Sequence, residues 1–446
     1  MKQYLGQTLE LSVEKPALGG SGLARHQGLV VFVQGGLPGS KVLARVVKAE
    51  SNCLHAEVQQ VQSPSPQAVV PDCAHFGPCG GCLWRNAAYL AQLAWKRAMV
   101  QEQLGRLAGS AVVVGETLAS PLQLGYRNKM EFAFGPGPKL GLRRSDRPQA
   151  ILEVESCLLM PEPAMAMLAA VRDLAKASGL LAYSARTGHG AWRHAVLRRG
   201  QSTGQWLIQL IVGPKADAYR IKPLAEGLLK DFPDLAGVVL GVRRDRGDFA
   251  LAETRAWTLG QGYLQETLAG LSFRISAESF FQVNTQGAQL LYSEALRLAG
   301  LTGRESVWDL YCGVGGLSLL LAGQAKTVTG FEITGQAVGD AKKNATTNKL
   351  GNCRFVAGDL KDSLGKETTK PDVVVLDPPR SGLHPEVADR LLALAPERMV
   401  YVSCNPATLA RDLKRLGQAY TVEAVTPVDL FPHSAHVECV VRLERK

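Results

Sequence analysis

A cysteine and a glutamate near the C-terminus have the residue types that covalent catalysis requires. Cys404 follows the apolar residues 399–402 in the tract Ser403-Cys404-Asn405-Pro406, and Glu438 lies further along in another strand-like run. A thiolate can add to an unreactive carbon, and a carboxylate can then remove a proton so that the sulfur leaves. Because a cysteine in an apolar run is often only a buried structural residue, this prediction depends on the motifs around it.

The C-terminal part of the chain, from about residue 286, alternates between strand-like and helix-like segments. Strands are predicted at 306–311, 328–332, 353–358, 372–377 and 398–403, with helices between and after them that include 339–349 and 407–416. This alternation predicts a mostly parallel sheet with helices on both faces. Two final strands, 420–426 and 436–443, are too close in sequence for a crossover helix, so we expect them to pair antiparallel.

A glycine-rich turn follows the first of these strands, in Asp309-Leu310-Tyr311-Cys312-Gly313-Val314-Gly315-Gly316. It permits close backbone approach to a ligand, but it lacks the lysine of a phosphate loop and the spacing of the dinucleotide fingerprint. Glu332, Asp359 and Asp377 each end or follow a later strand, so they should converge at the same edge of the sheet. Glu332 could accept hydrogen bonds from ribose hydroxyls, and Asp359 would lie near an adenine amino group. Each acid alone could equally be a helix cap or a loop residue.

A cysteine cluster lies in the first third of the chain. Cys73, Cys79 and Cys82 have the spacing C-x5-C-x2-C, and Cys157 is a distant fourth candidate. Four thiolates can hold either zinc or an iron–sulfur cluster, and the spacing does not choose between them. The N-terminus has no apolar segment typical of a secretory signal, so we expect a cytoplasmic protein in which cysteines stay reduced.

Length and charge indicate two or three domains and a polyanionic partner. The chain has 446 residues, more than one ordinary core accommodates, and a formal net charge of +10. No apolar run approaches the length needed to cross a bilayer, and no feature points to an obligate protein partner. Basic pairs recur in the middle of the chain at 143–144, 193–194, 198–199 and 243–244, where they could contact RNA or be solvated and packed residues.

Three regions follow from these patterns. Residues 1–62 alternate apolar and polar positions between glycine-rich turns, which predicts a small closed β-barrel. The tract Ser63-Pro64-Ser65-Pro66 is typical of a linker. Residues 63–275 form a mixed α+β central domain that carries the cysteines, and residues 276–446 form the α/β domain.

The C-terminal motifs together resemble the RNA uracil-5-methyltransferase family, which uses S-adenosylmethionine. The matching tracts are Phe281-Gln282-Val283-Asn284, Asp309–Gly315, Asp377-Pro378-Pro379-Arg380, Ser403-Cys404-Asn405-Pro406 and His436-Val437-Glu438. The resemblance implies a Rossmann-like methyltransferase domain in which five residues surround the cofactor and the target base: Gln282, Tyr311, Glu332, Asp359 and Asp377. It places the nucleophile that adds to carbon 6 of uracil on Cys404, and the base that removes the carbon 5 proton on Glu438. Gly316 departs from the family, in which many members carry a polar side chain.

One branch of this family shares further features with the chain. That branch has the same cysteine spacing with a remote fourth cysteine, which implies a [4Fe-4S] cluster on Cys73, Cys79, Cys82 and Cys157. The N-terminal barrel resembles the TRAM domain, an OB-like RNA-binding module. The resemblance implies 23S ribosomal RNA as the substrate, with the T-loop uridine of transfer RNA as the main rival, cytosine-5 methylation as a lesser one, and a non-catalytic RNA-binding protein as the alternative class.

Overall fold

The computed structural model describes residues 1–105, 112–137 and 139–446. Its first five strands close into a barrel in the order β1-β2-β3-β5-β4. The strands are β1 (Thr8–Pro16), β2 (Gly22–His26), β3 (Leu29–Gln34), β4 (Lys41–Ala49) and β5 (Cys53–Ser63), and a short 3-10 helix (Lys2–Tyr4) precedes them. Alternate residues point inward, so the barrel predicted from the alternation is confirmed. A Cβ on Gly22 would lie 2.5 Å from the carbonyl oxygen of Gly36, which explains why this junction needs glycine.

The middle of the chain builds a second sheet of seven strands, in the order β12-β11-β10-β9-β6-β7-β8. Its elements are α1 (Tyr89–Leu104), β6 (Lys129–Gly135), β7 (Lys139–Arg143), β8 (Ile151–Leu152), α2 (Ala164–Ser178), β9 (Trp192–Arg199), β10 (Trp206–Val212), α3 (Ala218–Asp231), β11 (Leu235–Val242) and β12 (Thr254–Gly260). Helices α2 and α3 pack on the sheet around buried Trp192 and Trp206. A separate hairpin, β13 (Tyr263–Leu268) and β14 (Leu271–Ser276), leads into the C-terminal domain.

Several basic residues of the central domain are internal. Arg193, Arg198 and Arg243 are buried, and the guanidinium groups of Arg193 and Arg198 donate to backbone carbonyls. Arg193 binds the carbonyl oxygens of residues 243, 245 and 247, so it holds that loop in place. These three arginines therefore stabilise the central domain and do not contribute to an exposed RNA-facing surface, because their charges are enclosed.

The C-terminal sheet has seven strands in the order β17-β16-β15-β18-β19-β21-β20. Its elements are α4 (Thr285–Ala299), β15 (Ser306–Leu310), α5 (Gly316–Ala322), β16 (Thr327–Glu332), α6 (Gly335–Thr347), β17 (Cys353–Ala357), α7 (Leu360–Ser363), a 3-10 turn (Leu364–Lys366), β18 (Val373–Leu376), α8 (Pro385–Leu394), β19 (Arg398–Ser403), α9 (Pro406–Leu416), β20 (Tyr420–Val428) and β21 (Glu438–Arg445). Strands β15 to β19 are parallel, and β21 runs antiparallel between β19 and β20. Both the parallel sheet and the antiparallel final pair are as predicted.

Apolar clusters lie on both faces of this sheet. Helices α4, α5 and α6 cover one face, whereas α8 and α9 cover the other. Helix α1, although it precedes the central sheet, joins the second cluster through Val100 and Leu104. The cysteine-bearing segment that leads into α1 is therefore fastened to the C-terminal sheet. None of the described helices combines the length and the apolar character that crossing a bilayer requires.

The glycine-rich turn after β15 depends on left-handed backbone. Strand β15 ends at Leu310, one residue before its predicted end, because Tyr311 has φ +67°. Gly315 has φ +86°, and a Cβ there would lie 2.7 Å from Cδ1 of Leu319. The turn therefore needs glycine for both its dihedral angles and its packing.

We expect Gly315→Ala to lower the free energy of unfolding by about 3 kcal/mol, since left-handed strain and overpacking add. The matched control is Gly303→Ala, where φ is +91° but nothing lies within 4 Å of the new Cβ. This control carries only the strain, about 1 kcal/mol. Urea denaturation measures both changes, and equal losses in the two variants would show that packing at Gly315 contributes nothing.

Candidate active site

A cleft of about 890 Å³ opens at the carboxyl edge of the C-terminal sheet. It is lined by every residue that the sequence placed around the cofactor and the target: Gln282, Tyr311, Glu332, Asp359, Asp377, Cys404 and Glu438. The strands β15, β16, β18 and β19 are parallel, so the residues at their carboxyl ends meet at one edge. One cavity thus brings together the predicted ligand-binding acids and the predicted nucleophile and base.

Cys404 and Glu438 face each other because of the register of two antiparallel strands. Ser403 at the end of β19 pairs with Cys439 in β21. Because the strands run in opposite directions, Cys404, one residue after Ser403, lies opposite Glu438, one residue before Cys439. Glu438 is the first residue of β21. The backbone positions of the pair are therefore set by hydrogen bonding between the two strands.

Burial keeps both groups protonated near neutral pH. Burial raises the pKa of the Cys404 thiol to about 11, and the charges of Glu438 and Asp377 add to the effect while Arg380 opposes it. Glu438 is 4% exposed, and burial followed by the charge of Asp377 raises the pKa of its carboxyl to about 8. A cationic ligand in the cleft would favour both ionised forms, because it would compensate the negative charge that burial penalises.

Asp377 is hydrogen-bonded to Gln282 and lies near Tyr292. The Nε2 of Gln282 donates to Oδ2 of Asp377 over 3.4 Å, and burial raises the pKa of this carboxyl to about 7. The hydroxyl of Tyr292, in α4, is buried among carboxylates, and its pKa is raised by burial and then by Asp377 and Asp309. The sequence analysis did not identify Tyr292, since nothing in its helical context distinguishes it from a packed core tyrosine.

Tyr292 also lies next to Gly316. A Cβ on Gly316 would lie 3.2 Å from the hydroxyl oxygen of Tyr292, so a side chain at this position would require the tyrosine to shift by a few tenths of an ångström.

A carboxyl to which the sequence analysis gave no role, that of Asp309, lies beneath the glycine-rich turn. Asp309 is 1% exposed, and its Oδ2 accepts a hydrogen bond of 2.5 Å from the hydroxyl of Ser318 in α5. Burial raises the pKa of Asp309 to about 7. The motif that contains Asp309 was visible in the sequence, but only the tertiary structure shows that this side chain is enclosed under the cleft.

Glu332 is oriented by the backbone of the turn. Its Oε2 accepts from the amide of Gly313 over 3.1 Å, and its Oε1 accepts from the amide of Thr334 over 2.8 Å. Each oxygen keeps a lone pair that can accept a further hydrogen bond from a ligand hydroxyl. Ile333, next in sequence, is 68% exposed and lines the same cleft, where it offers an apolar surface to a flat ring.

Asp359 is a helix cap that also lines the cleft. It caps α7, since its Oδ1 accepts from the amide of Lys361 over 3.0 Å, and this bond lowers the pKa of the carboxyl. Asp359 also lines the cleft, as do its neighbours Gly358 and Leu360. Its side chain is half-buried, so it remains accessible to a ligand.

The Gln282 tract is anchored to the central domain. Asn128 donates from Nδ2 to the carbonyl oxygen of Gln282 over 2.8 Å, and its backbone amide donates to the carbonyl of Val283. Asn284 caps α4 and donates from Nδ2 to the carbonyl oxygen of Leu430 over 3.0 Å. The wall of the cleft that carries Gln282 therefore depends on contacts from two other parts of the chain.

The four cysteines of the predicted cluster surround one small pocket. Cys73, Cys79, Cys82 and Cys157 all line it, together with apolar side chains such as Leu142 and Val154. Burial raises the pKa of the Cys82 thiol to about 12, and the nearby thiols of Cys157 and Cys79 add to the rise. Thiolates at this place would need a compensating cation, so the residues fit a metal centre.

A different trio of donor atoms lies at the end of the barrel. Among the described residues, only Glu50, Cys53 and His55 bring three possible ligand atoms within 4.8 Å of one another. The ammonium of Lys48 already pairs with the Glu50 carboxylate at 2.5 Å. We therefore interpret this group as the surface ion pair of Lys48 and Glu50, next to the buried thiol of Cys53.

Other residues of the cleft were not identified from the sequence. Arg380 and Arg411 bring positive charge to its rim, and Phe280, 63% exposed, brings an aromatic ring. Arg380 belongs to a motif already noted, whereas Arg411 lies in an ordinary amphipathic helix. The sequence alone did not show that Arg411 and Phe280 lie close to the other residues of the cleft.

Comparison with known proteins agrees with this architecture. The profile of the tRNA (uracil-5-)-methyltransferase family matches residues 249–446, and that of the TRAM domain matches residues 2–59. An uncharacterized RNA methyltransferase of Nitratidesulfovibrio vulgaris is 42% identical, over 99% of this chain and 97% of the relative. Another, from Gloeobacter violaceus, is 39% identical over 99% of this chain and 97% of its own length.

A solved structure extends the similarity to the whole fold. The tRNA (uracil-54, C5)-methyltransferase of Pyrococcus abyssi, in complex with S-adenosyl-L-homocysteine, aligns with a TM-score of 0.77 and 25% sequence identity. The alignment covers 98% of this chain and 100% of the other. The chain, with its barrel and cleft, therefore belongs to the RNA uracil-5-methyltransferase family and is an S-adenosylmethionine-dependent RNA methyltransferase with a TRAM domain.

Proposed function

We propose that this enzyme methylates carbon 5 of a specific uridine in 23S ribosomal RNA through a covalent bond to Cys404. The observation that carries the proposal is the cross-strand placement of Cys404 opposite Glu438 within the cleft. Carbon 5 of uracil is a poor nucleophile until a thiolate has added to carbon 6, so the reaction needs a cysteine and a base on the same ring.

Cys404 forms the first bond of the reaction. Its sulfur adds to carbon 6, the ring becomes an enolate, and the thiol proton leaves to solvent or to a neighbouring carboxylate. S-adenosylmethionine supplies the electrophilic methyl group that carbon 5 takes up, and S-adenosylhomocysteine remains. Glu438 then accepts the carbon 5 proton, the carbon–sulfur bond breaks, and the thiolate of Cys404 is restored with the double bond of the ring.

The remaining cleft residues are proposed to hold the cofactor and the base. Glu332 accepts from the ribose hydroxyls, Asp359 accepts from the adenine amino group, and Tyr311 lies at the turn between them. Gln282 and Asp377, which are hydrogen-bonded to each other, face the target side near Cys404. A positive sulfonium in the cleft would stabilise the ionised carboxylates of Asp377 and Glu438, which favours a cofactor of this charge.

A groove of about 630 Å³ gives the RNA a path toward the cleft. It lies where the barrel, the cysteine segment and the central sheet meet, and its basic lining consists of Arg127, Lys129, Arg143 and Arg144. Arg127 forms no ion pair with any described residue, and its guanidinium lies 6.0 Å from the ring of Phe431 in the cleft. Phosphates bound along this groove would direct a flipped base toward Cys404.

Ribosomal RNA is favoured by the cysteine tract, because the resemblance links that tract to the branch that modifies 23S RNA. The similarity to the archaeal tRNA enzyme favours the T-loop uridine of transfer RNA as the second candidate. Mapping 5-methyluridine in total RNA from cells with and without the protein decides between them. Loss from 23S RNA supports the proposal, and loss confined to transfer RNA would replace it by the second candidate.

For the cysteine pocket we propose a [4Fe-4S] cluster. Tetrahedral zinc with bonds of about 2.3 Å holds its sulfur ligands about 3.8 Å apart. No three of the four thiols, all in the described part of the chain, lie within 4.8 Å of one another. Wider spacing suits a cluster, since each cysteine then binds a different iron atom. The proposed role of the cluster is structural, because methyl transfer does not require electron transfer.

Replacing Cys404 tests the covalent mechanism directly. With RNA that carries 5-fluorouridine and with S-adenosylmethionine, the wild type should form a denaturation-resistant complex, because fluorine cannot leave as a proton does. Cys404→Ala should form none and should lose methyl transfer by more than 1,000-fold, roughly the size of a covalent contribution. Cys353→Ala, at a half-buried cysteine of β17, is the control that keeps both activities, and an adduct in Cys404→Ala would refute the assignment.

The rate of methylation should rise with pH. A base must be ionised, and the pKa of the Glu438 carboxyl is raised to about 8, so the active carboxylate is the minor form below that pH. In rapid-quench measurements, we expect the covalent adduct to break down about tenfold faster per pH unit below pH 8 and then at a constant rate, because this step needs only the ionised carboxylate of Glu438.

Glu438→Gln removes the base and should leave ordinary uridine RNA trapped as the covalent adduct. Glu423→Gln, at an exposed position of β20, is the matched control with wild-type behaviour. A Glu438→Gln enzyme that turns over with an unchanged pH profile would show that another group removes the proton.

Purification without oxygen tests the cluster. We expect a brown protein with about four iron and four sulfide per chain, and loss of the visible absorption in Cys157→Ser. A colourless protein with one bound zinc would overturn the cluster proposal and leave the methylation proposal intact.

A further inference from the structure

The loop between β20 and β21, residues 429–437, connects directly to Glu438. Phe431 and His436 of this loop line the cleft. The position of the base on β21 therefore depends on how the loop is held. Residues 83–96 make several of the hydrogen bonds that hold it. Three other residues also contribute: Asn284 donates to the carbonyl oxygen of Leu430, the hydroxyl of Tyr126 donates to that of Pro432, and the carbonyl of Leu118 accepts from the amide of Asp429.

Lys96 of α1 fixes the start of the loop. Its ammonium lies 2.5 Å from Oδ1 of Asp429, and both side chains are fully buried. The same ammonium donates to the carbonyl oxygen of Phe431 over 3.0 Å. The amide of Phe431 also donates to Oδ1 of Asp429, so this carboxylate holds both the ammonium and the first turn of the loop.

Gln92, one turn earlier in α1, fixes the middle of the loop. Its Oε1 accepts from the amide of His433 over 2.9 Å, and its Nε2 lies 3.3 Å from Nδ1 of the same histidine. His433 has φ +66°, a left-handed conformation that is costly for a residue with a side chain. The contacts of Gln92 stabilise that conformation.

The cysteine segment completes the set of contacts. The amides of Leu83 and Trp84, which directly follow Cys82, both donate to the carbonyl oxygen of His433 over 3.0 Å. The indole of Trp84 is buried against Ala435 of the loop and donates to the carbonyl oxygen of Gly20 in the barrel. The barrel, the cysteine pocket and the loop thus meet at one tryptophan.

We propose that Gln92, Lys96 and the segment after Cys82 are positioning elements for proton removal by Glu438. The proposal rests on the proposed function, since it assumes that Glu438 is the base. Filling of the cysteine pocket fixes Leu83 and Trp84, these fix His433, and the loop then presents Glu438 at the position set by β21. The cysteine pocket acts on catalysis through hydrogen bonds to this loop, without electron transfer.

Gln92→Leu tests the side-chain part of the proposal. We expect turnover to fall at least tenfold and the covalent complex with ordinary uridine RNA to accumulate, because proton removal becomes slower than adduct formation. The affinity for S-adenosylhomocysteine should stay within twofold. Gln92→Glu, which keeps the acceptor for the His433 amide, should recover part of the turnover.

Gln209→Leu is the matched control, since Gln209 is also buried but lies in β10 of the central sheet. A merely structural effect would lower adduct formation and turnover in proportion in both variants. If Gln92→Leu resembles Gln209→Leu in its adduct fraction and pH profile, the positioning role is wrong. Wild-type adduct formation, measured in parallel, tests the proposed function independently.

A second measurement covers the case in which Gln92→Leu does not fold. In Cys82→Ser, hydrogen exchange of the Phe431 and His433 amides should accelerate at least tenfold, while amides of β15 and β18 exchange as in the wild type. Unchanged exchange in the loop would show that the pocket does not control it. The charge pair is tested by Lys96→Met with Asp429→Leu, which removes both buried charges together and should also accumulate adduct.

Discussion

The pairing of β21 between β19 and β20 is the constraint on which the active site depends. It reverses the direction of an otherwise parallel sheet, and the register Ser403 to Cys439 sets Cys404 opposite Glu438. A parallel continuation would have placed the glutamate at the far end of the sheet, because parallel neighbours share direction. One antiparallel strand therefore brings the proposed nucleophile and the proposed base together from two separate motifs.

Burial then gives that pair its chemical character. Asp309, Asp377 and Glu438 are enclosed around the cleft, and each has its pKa raised to about 7 or 8 by loss of solvent. Such a site is unfavourable for three anions and favourable for a cation, so a sulfonium ligand is matched to it. The same low-polarity surroundings suppress the thiolate of Cys404 in the empty enzyme and would limit side reactions of the thiol.

The sequence predicted the arrangement of elements well because hydrophobic periodicity depends on local burial. The five parallel strands, the closed barrel and the antiparallel end follow from patterns that each strand carries alone. Strand ends differed from their predicted positions where a left-handed residue ends the strand, as Tyr311 does for β15. The position of Tyr292 beside the cleft and the burial of the basic pairs could not be predicted from periodicity. Arg193 and Arg198 are charged but enclosed, since backbone carbonyls of neighbouring loops satisfy their guanidinium groups.

By itself, the sequence determined which residue types are present: a cysteine, a glutamate and three acids after strands, with a glycine turn that only glycine can form. Family resemblance added their roles. Only the tertiary structure decided which of these residues meet and which of the acids are buried. It alone showed that the segment after Cys82 holds the loop before Glu438. These outcomes depend on contacts between residues separated by tens to hundreds of positions, and no local pattern records such contacts, because their energies arise only when the chain is packed.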